Sequence, residues 1–191
     1  MNRSESLRPM LRVLLLAGAN VGCAAVLAAD EPRYGLGREA SAEEIARIDI
    51  DVMPDGRGLP PGGATAAQGR VVYEQACAHC HGAEGRNGPN GSLAGEAVHD
   101  PGDLATDRSL KRTVGNYWPW ATTLFDYVRR AMPYDRPGSL SDEEVYAVTA
   151  YVLFENGLIE ENATVNAETL PAVQMPLQPL FAPASAWEAE P

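Results

Sequence analysis

Lysine is nearly missing from this chain. Lys111 is the only one, and 15 basic side chains face 26 acidic ones, for a formal net charge of −11. Nucleic-acid binding rests on clustered Lys and Arg set against phosphates, so this balance excludes that partner class. Cysteine and histidine are scarce as well, with three residues each. The longest apolar run, "VLLLAGANVGCAAVLAA", has 17 residues and is short for a membrane span, which takes about 20. Strand-like alternation and internal repeats are also lacking.

What is present begins at the ends. "MNRSESLRPMLR" carries Arg3, Arg8 and Arg12 ahead of the apolar run, and Asp30 and Glu31 close it. A basic start, a short apolar core and small residues before a polar stretch predict a secretory signal peptide over residues 1–29. Val26 and Ala28 suit a cut after Ala28, with Ala29 the alternative. An uncleaved anchor and lipidation of Cys23 are the rival readings, but Asn20 stands where a lipidated cysteine needs a branched apolar residue. Cleavage leaves 12 basic and 25 acidic side chains, a net charge of −13, and only Cys77 and Cys80 as thiols. Encounters of so acidic a surface are steered by basic partners.

Three capping boxes mark helix starts: Ser41 with Glu44, Thr65 with Gln68 and Ser141 with Glu144. The first lies in an irregular leader (30–62) whose "MPDGRGLPPGG" is loop. Its Ile45, Ile48, Ile50 and Val52 predict that the leader packs on something. The second opens "TAAQGRVVYEQAC", and a Gly-, Asn- and Pro-rich loop follows from Gly82 to Gly102. "TTLFDYVRRAM" (122–132) reads as a helix stopped by Pro133, with Asp126, Arg129 and Arg130 away from its apolar face. The third box starts "SDEEVYAVTAYVLFENG", apolar all round from Val145 to Phe154 and closed by Gly157. A Pro-rich extended tail (161–191) is either free or laid along a surface. The prediction is an all-α domain over residues 63–160, with three or four helices and long loops that need a cofactor or cross-link to organise them.

The stretch "YEQACAHCHGAEG" carries the chemistry. Zinc wants four ligands, and only His99 remains outside the motif. A redox Cys-x-x-Cys belongs at a helix start in a strand–helix–strand setting, whereas this pair ends a helix. The complete Cys-x-x-Cys-His pattern instead matches covalent haem attachment. Thiols of Cys77 and Cys80 can add to the two vinyl groups along one porphyrin edge, which holds His81 under the iron. In bacteria this attachment occurs outside the cytoplasm, in agreement with the N-terminal segment, so one haem c in the periplasm is expected.

For the sixth iron ligand the candidates are Met132, in "RRAMPYDRPGS", Met175 in the tail, and His99 or an open site. Met132 is preferred, because a Met-Pro pair in a loop between helices is a poor core position. Thioether ligation raises the potential relative to two imidazoles. His79 reads as a solvent-facing bystander. Pro89 is the expected source of a carbonyl for the free nitrogen of His81. Trp118, Trp120 and Tyr127 are expected in the wall of the haem pocket, with one Trp N–H available to a propionate. Arg129 and Arg130 read as a solvated helix face that could also meet propionates or an acidic partner.

Gly69, Tyr73, Cys77, Cys80 and His81 together form G-x3-Y-x3-C-x2-C-H, which resembles the first helix of class I cytochromes c. Val148 and Tyr151 fit the last helix that crosses it. "GREASAEEIARIDIDVMPDGRGLPPG", "GNYWPWATTLFDYVRRAMPYDRPGSLSDEEVYAVTAYVLFENG" and "ETLPAVQMP" resemble, more narrowly, the cytochrome subunits of periplasmic sulfite and sulfur dehydrogenases. The resemblance implies His81 and Met132 as ligands. It also implies electrons received singly from a molybdenum-cofactor subunit and passed to a downstream cytochrome c or oxidase, with no catalysis by this chain alone. The Sox type has a second haem domain, whereas here there is one attachment motif. The leader and tail are expected to clasp a partner. The rivals are an autonomous shuttle between respiratory complexes and a haem sensor or enzyme with an open iron site.

Overall fold

The computed structural model describes residues 36–95 and 102–181. Residues 1–29, read above as a signal peptide, and His99 lie outside the described residues. The chain divides into two units, residues 1–45 and 46–191. Helices run over Ala42–Ile48 (α1), Ala66–Ala76 (α2), Ala78–His81 (α3), Asp103–Thr106 (α4), Val114–Tyr117 (α5), Ala121–Ala131 (α6) and Asp142–Glu155 (α7). Gly63–Ala64 (β1) pairs antiparallel with Val165–Asn166 (β2). Short helices α4 and α5 inside the long loops were not foreseen, because a single turn leaves no period to read. Among the described residues no helix is long and apolar enough to cross a membrane.

In the first unit, Ser41 and Glu44 close their capping box through reciprocal hydrogen bonds, and Arg38 pairs with Glu44. Of the apolar residues of α1, Ile45 and Ile48 are exposed in this single chain. A seven-residue helix with no buried side chain gains little from its isoleucines.

The core of the second unit is built on α7. Every residue from Val145 to Leu153 is buried, in line with its all-round apolar sequence. Its end is a Schellman motif: Leu158 N–H reaches the Leu153 carbonyl, Gly157 N–H reaches Phe154, and Gly157 sits at φ +69°. Helix α2 crosses α7 at Gly69, and the Tyr73 and Tyr151 rings meet nearby at 4.9 Å. Helix α6 docks on the same helix through Phe125, whose ring lies 4.5 Å from that of Tyr146.

Burial pushes the hydroxyls of Tyr73 and Tyr146 up to about 12 from an ordinary value of 10.0. Both states keep these protons below pH 10, and above it the unfolded chain loses them first. Stability is therefore expected to hold up to about pH 10 and to fall as pH rises toward 12. An alkaline titration that follows tyrosinate absorbance and helix content together checks this. Tyr73 and Tyr146 should ionise late, along with unfolding, as should Tyr151, whose hydroxyl burial also pushes up.

Asp126 corrects the reading of α6. It is buried rather than solvated, accepts the Val52 N–H at 2.9 Å and the Arg130 Nε–H at 2.9 Å. Arg129 likewise donates to the Ile50 carbonyl and pairs with Asp142 at 3.1 Å. Leader residues 50–54 are thus hydrogen-bonded along α6, since Thr122 also donates to Pro54. Helical period alone cannot see that these polar groups serve an irregular segment. Asp126→Ala is expected to cost about 1–3 kcal/mol by orphaning a buried backbone N–H and stranding Arg130. Denaturant unfolding measures it, and limited proteolysis should open the 50–60 segment first.

The tail through Phe181 lies along the domain. Val165, Leu170, Met175 and Leu177 are all buried. Pro171 lies against Gly56 of the leader, leaving no room for a side chain there. Val52 of the leader and Leu170 and Met175 of the tail are taken up in this chain's own core.

Candidate haem attachment site

Cys77 ends α2 and begins α3, with its N–H bonded to the Tyr73 carbonyl and its own carbonyl accepting from Cys80 and His81. Cys77, Cys80 and His81 therefore stand at i, i+3 and i+4 on one helical turn, which shares a face. Both thiols are free and half-buried. Burial foremost, then the neighbouring Cys80, pushes the Cys77 thiol up to about 11. His79, on the same turn, is exposed.

The chain then turns sharply at Gly82, at φ +81°, where a Cβ would lie 1.9 Å from the Arg86 carbonyl oxygen. The Tyr73 hydroxyl donates to the Gly82 carbonyl at 3.0 Å and pins this turn. The loop folds back so closely that a Cβ on Gly88 would lie 2.2 Å from the His81 carbonyl carbon. Asn90 N–H donates to the Cys80 carbonyl at 2.9 Å, and Nδ1 of His81 lies 3.1 Å from the Gly91 carbonyl. The expected partner was Pro89. Pro89 is instead exposed, because a turn from Gly88 to Gly91 brings the carbonyl two residues later to the ring. A carbonyl only accepts, so Nδ1 carries the proton and Nε2 keeps its lone pair.

The remaining residues divide. Trp118 and Met132 are half-buried against the same core cluster as Cys77, Ala78 and Leu93. Tyr127 meets Trp118 edge-on at 5.7 Å but is itself exposed. Trp120 packs on Phe181 of the tail, at 5.7 Å, rather than on another aromatic of the site. Met132 is the C-cap of α6 and precedes a cis peptide to Pro133. Met175 is buried in the core, where thioethers serve as gap-fillers.

Asn156 escaped the sequence reading. Its amide donates to the carbonyls of Leu93, at 3.1 Å, and Val152, at 2.8 Å, and accepts from Gly115 N–H at 3.2 Å. One side chain ties the end of α7 to the loop behind His81 and to α5. Its only sequence signal was an Asn before a capping Gly, which reads as a helix end and no more.

The donor set fits a covalently held haem: two reduced thiols on one face, an adjacent imidazole with Nε2 free, and a half-buried thioether in the same apolar cluster. Residues 64–152 match the family described as cytochrome C oxidase, cbb3-type, subunit III. A chain of the sulfane dehydrogenase SoxCD from Paracoccus pantotrophus is 36% identical and superposes with a TM-score of 0.70. That likeness covers 83% of this chain and 80% of the other. The chain belongs to the class I cytochromes c. A thiosulfate dehydrogenase from Stutzerimonas stutzeri (strain A1501) is 32% identical over 93 residues, 49% of this chain. Only 28% of that relative's length is spanned. This cytochrome c is thus an electron-transfer domain related to sulfur dehydrogenase cytochromes.

Proposed function

We propose that this cytochrome is the monohaem electron-transfer subunit of a periplasmic sulfur-compound dehydrogenase. It would take single electrons from a molybdenum-cofactor subunit and hand them to a downstream cytochrome c or oxidase. One observation carries the reading. The likeness to the sulfane dehydrogenase chain runs over 83% of this one, well beyond residues 64–152, and so takes in segments outside the haem domain. The N-terminal segment, read as a signal peptide, supports the periplasmic location.

Cys77 and Cys80 would hold the porphyrin covalently, with His81 and Met132 as iron ligands. When bound, haem supplies the one-electron couple of its iron. The chain's own residues set the conditions. Gly91 fixes the His81 ring through Nδ1–H, Tyr73 pins the turn behind it, and the core under Cys77 and Met132 keeps water from that side. Were His81 and Met132 both to hold the iron, no position would be left on it for a substrate, and this chain alone would turn nothing over.

The test mixes oxidised, haem-loaded protein with a molybdenum-containing sulfur dehydrogenase subunit and its sulfur oxyanion. Rapid reduction that needs both additions is expected, with a rate that falls steeply as salt rises. Slow, salt-independent reduction would remove the assignment. The burial of leader and tail residues within this chain favours a second reading, an autonomous shuttle. Co-elution of the two proteins on size-exclusion separates a stable subunit from a shuttle that only collides.

A further inference from the structure

The sequence holds three Asn-Gly pairs: Asn87–Gly88, Asn90–Gly91 and Asn156–Gly157. Such pairs are chemically weak, because glycine has no Cβ to keep its nitrogen from the preceding Asn side chain. The three surroundings differ sharply. Gly88 is packed so closely on the attachment turn that a Cβ there would meet backbone atoms of Cys80, His81 and Gly82 within 2.4 Å. The Asn156 amide is held by Leu93, Val152 and Gly115, and Gly157 N–H by Phe154 at 2.8 Å. At the middle pair both residues are exposed, and a Cβ on Gly91 would meet nothing within 4 Å. Gly91 N–H makes only a long 3.3 Å bond to the Gly88 carbonyl, and among the described residues the side-chain amide of Asn90 makes no hydrogen bond.

We propose that Asn90 is a site of spontaneous deamidation that acts on the hydrogen bond orienting His81. The Gly91 nitrogen attacks Cγ of Asn90, a C–N bond forms, and ammonia leaves with the displaced proton. Water then opens the cyclic imide at either carbonyl and yields aspartate or isoaspartate, with no change of oxidation state. Isoaspartate routes the main chain through the side-chain carbon and adds a methylene one residue before the carbonyl that receives His81 Nδ1–H. Both products place a carboxylate where a neutral amide stood. The same residue's N–H holds the Cys80 carbonyl, so the lesion sits between two contacts of the attachment turn. The modification does not depend on what His81 binds, whereas its effect on an iron ligand rests on the electron-carrier reading.

The experiment ages haem-loaded, full-length protein in mildly alkaline buffer. Fragmentation mass spectrometry locates the amide-to-acid mass gain, and an isoaspartate-specific methyltransferase counts the rearranged product. Asn90 is expected to convert several-fold faster than Asn87 or Asn156. Equal or faster conversion of Asn87, or an intact Asn90, overturns the site. The His81 ring resonances of aged wild type should shift in proportion to isoaspartate, while those of Asn90→Ser stay fixed. Conversion without a shift of the ring overturns the link to His81 and leaves the electron-carrier reading untouched. The unaged Asn90→Asp variant supplies the added charge without the added methylene and separates the two causes.

Discussion

Gly69→Ala is expected to be strongly destabilising, although it adds only a single methyl group. In α2 the backbone at position 69 is ordinary helix, so alanine should favour it by about 1 kcal/mol on propensity alone. Packing decides otherwise. A Cβ there would stand 1.8 Å from the carbonyl oxygen of Ala147 and 2.8 Å from the Cβ of Tyr151. Neither is the far end of a flexible side chain, so relief requires the helix axes to part. Overpacking of a tight core costs about 1–3 kcal/mol and at times more. Because backbone meets backbone here, the net loss should reach about 3 kcal/mol even after the propensity gain. That is a large share of the roughly 5–15 kcal/mol that holds a domain together. Parting the helices also loosens the Tyr73–Tyr151 contact and the turn that carries Cys77, so the yield of haem-loaded protein should fall too. Val71→Ala is the control: it lies on the same helix with its side chain exposed, and should leave the midpoint near wild type. Denaturant midpoints of the two variants give the result directly, and a Gly69→Ala midpoint equal to that of Val71→Ala would falsify the close crossing.

The parts of this fold that could be read in advance are those with local causes. Each capping box closes as its spacing demanded, because Ser or Thr and the residue three places on bond to each other's backbone whatever surrounds them. Helix α7 was legible as the buried element, since only the interior tolerates a helix apolar on every side. The unforeseen parts depend on contacts distant in sequence. Asp126 shows a polar residue where the period expects solvent, and its partner Val52 lies 74 positions away. The tail lacks any period, yet Leu170 is fully buried, because it packs as irregular chain in which single apolar residues fill single gaps. At the site, a carbonyl partner for His81 was anticipated and its source was misjudged by two residues. A Gly-rich turn leaves several rotations open, and sequence does not say which carbonyl ends up facing the ring. Asn156 was hidden for the same reason, since its role exists only once the Leu93 loop and α5 converge on it.

Met132→Ala is expected to leave the fold standing, to lower the haem potential and to open the iron to small molecules. The thioether is half-buried against the core, at the C-cap of α6 rather than inside it, so its loss should cost less stability than a core deletion of the same size. Its electronic effect is another matter. A thioether favours the reduced iron over the oxidised one, and water or an open position does not. Axial ligands command about 0.8 V of potential across haem proteins, and this exchange should lower the potential by on the order of 0.1 V or more. The oxidised wild type should show the weak far-red band of a methionine–ferric bond, and the variant should lack it. Reduced Met132→Ala should take up carbon monoxide at neutral pH, while reduced wild type should not. The fully buried Met175 supplies the counter-test, because Met175→Leu keeps the volume and should keep the band. If the band vanished with Met175 and survived in Met132→Ala, the ligand would be the tail methionine. If wild type had no band and bound carbon monoxide freely, the iron site would be open, and the chain would belong with sensors or enzymes rather than carriers. The same two spectra therefore fix the ligand and choose between moving electrons and binding a small molecule.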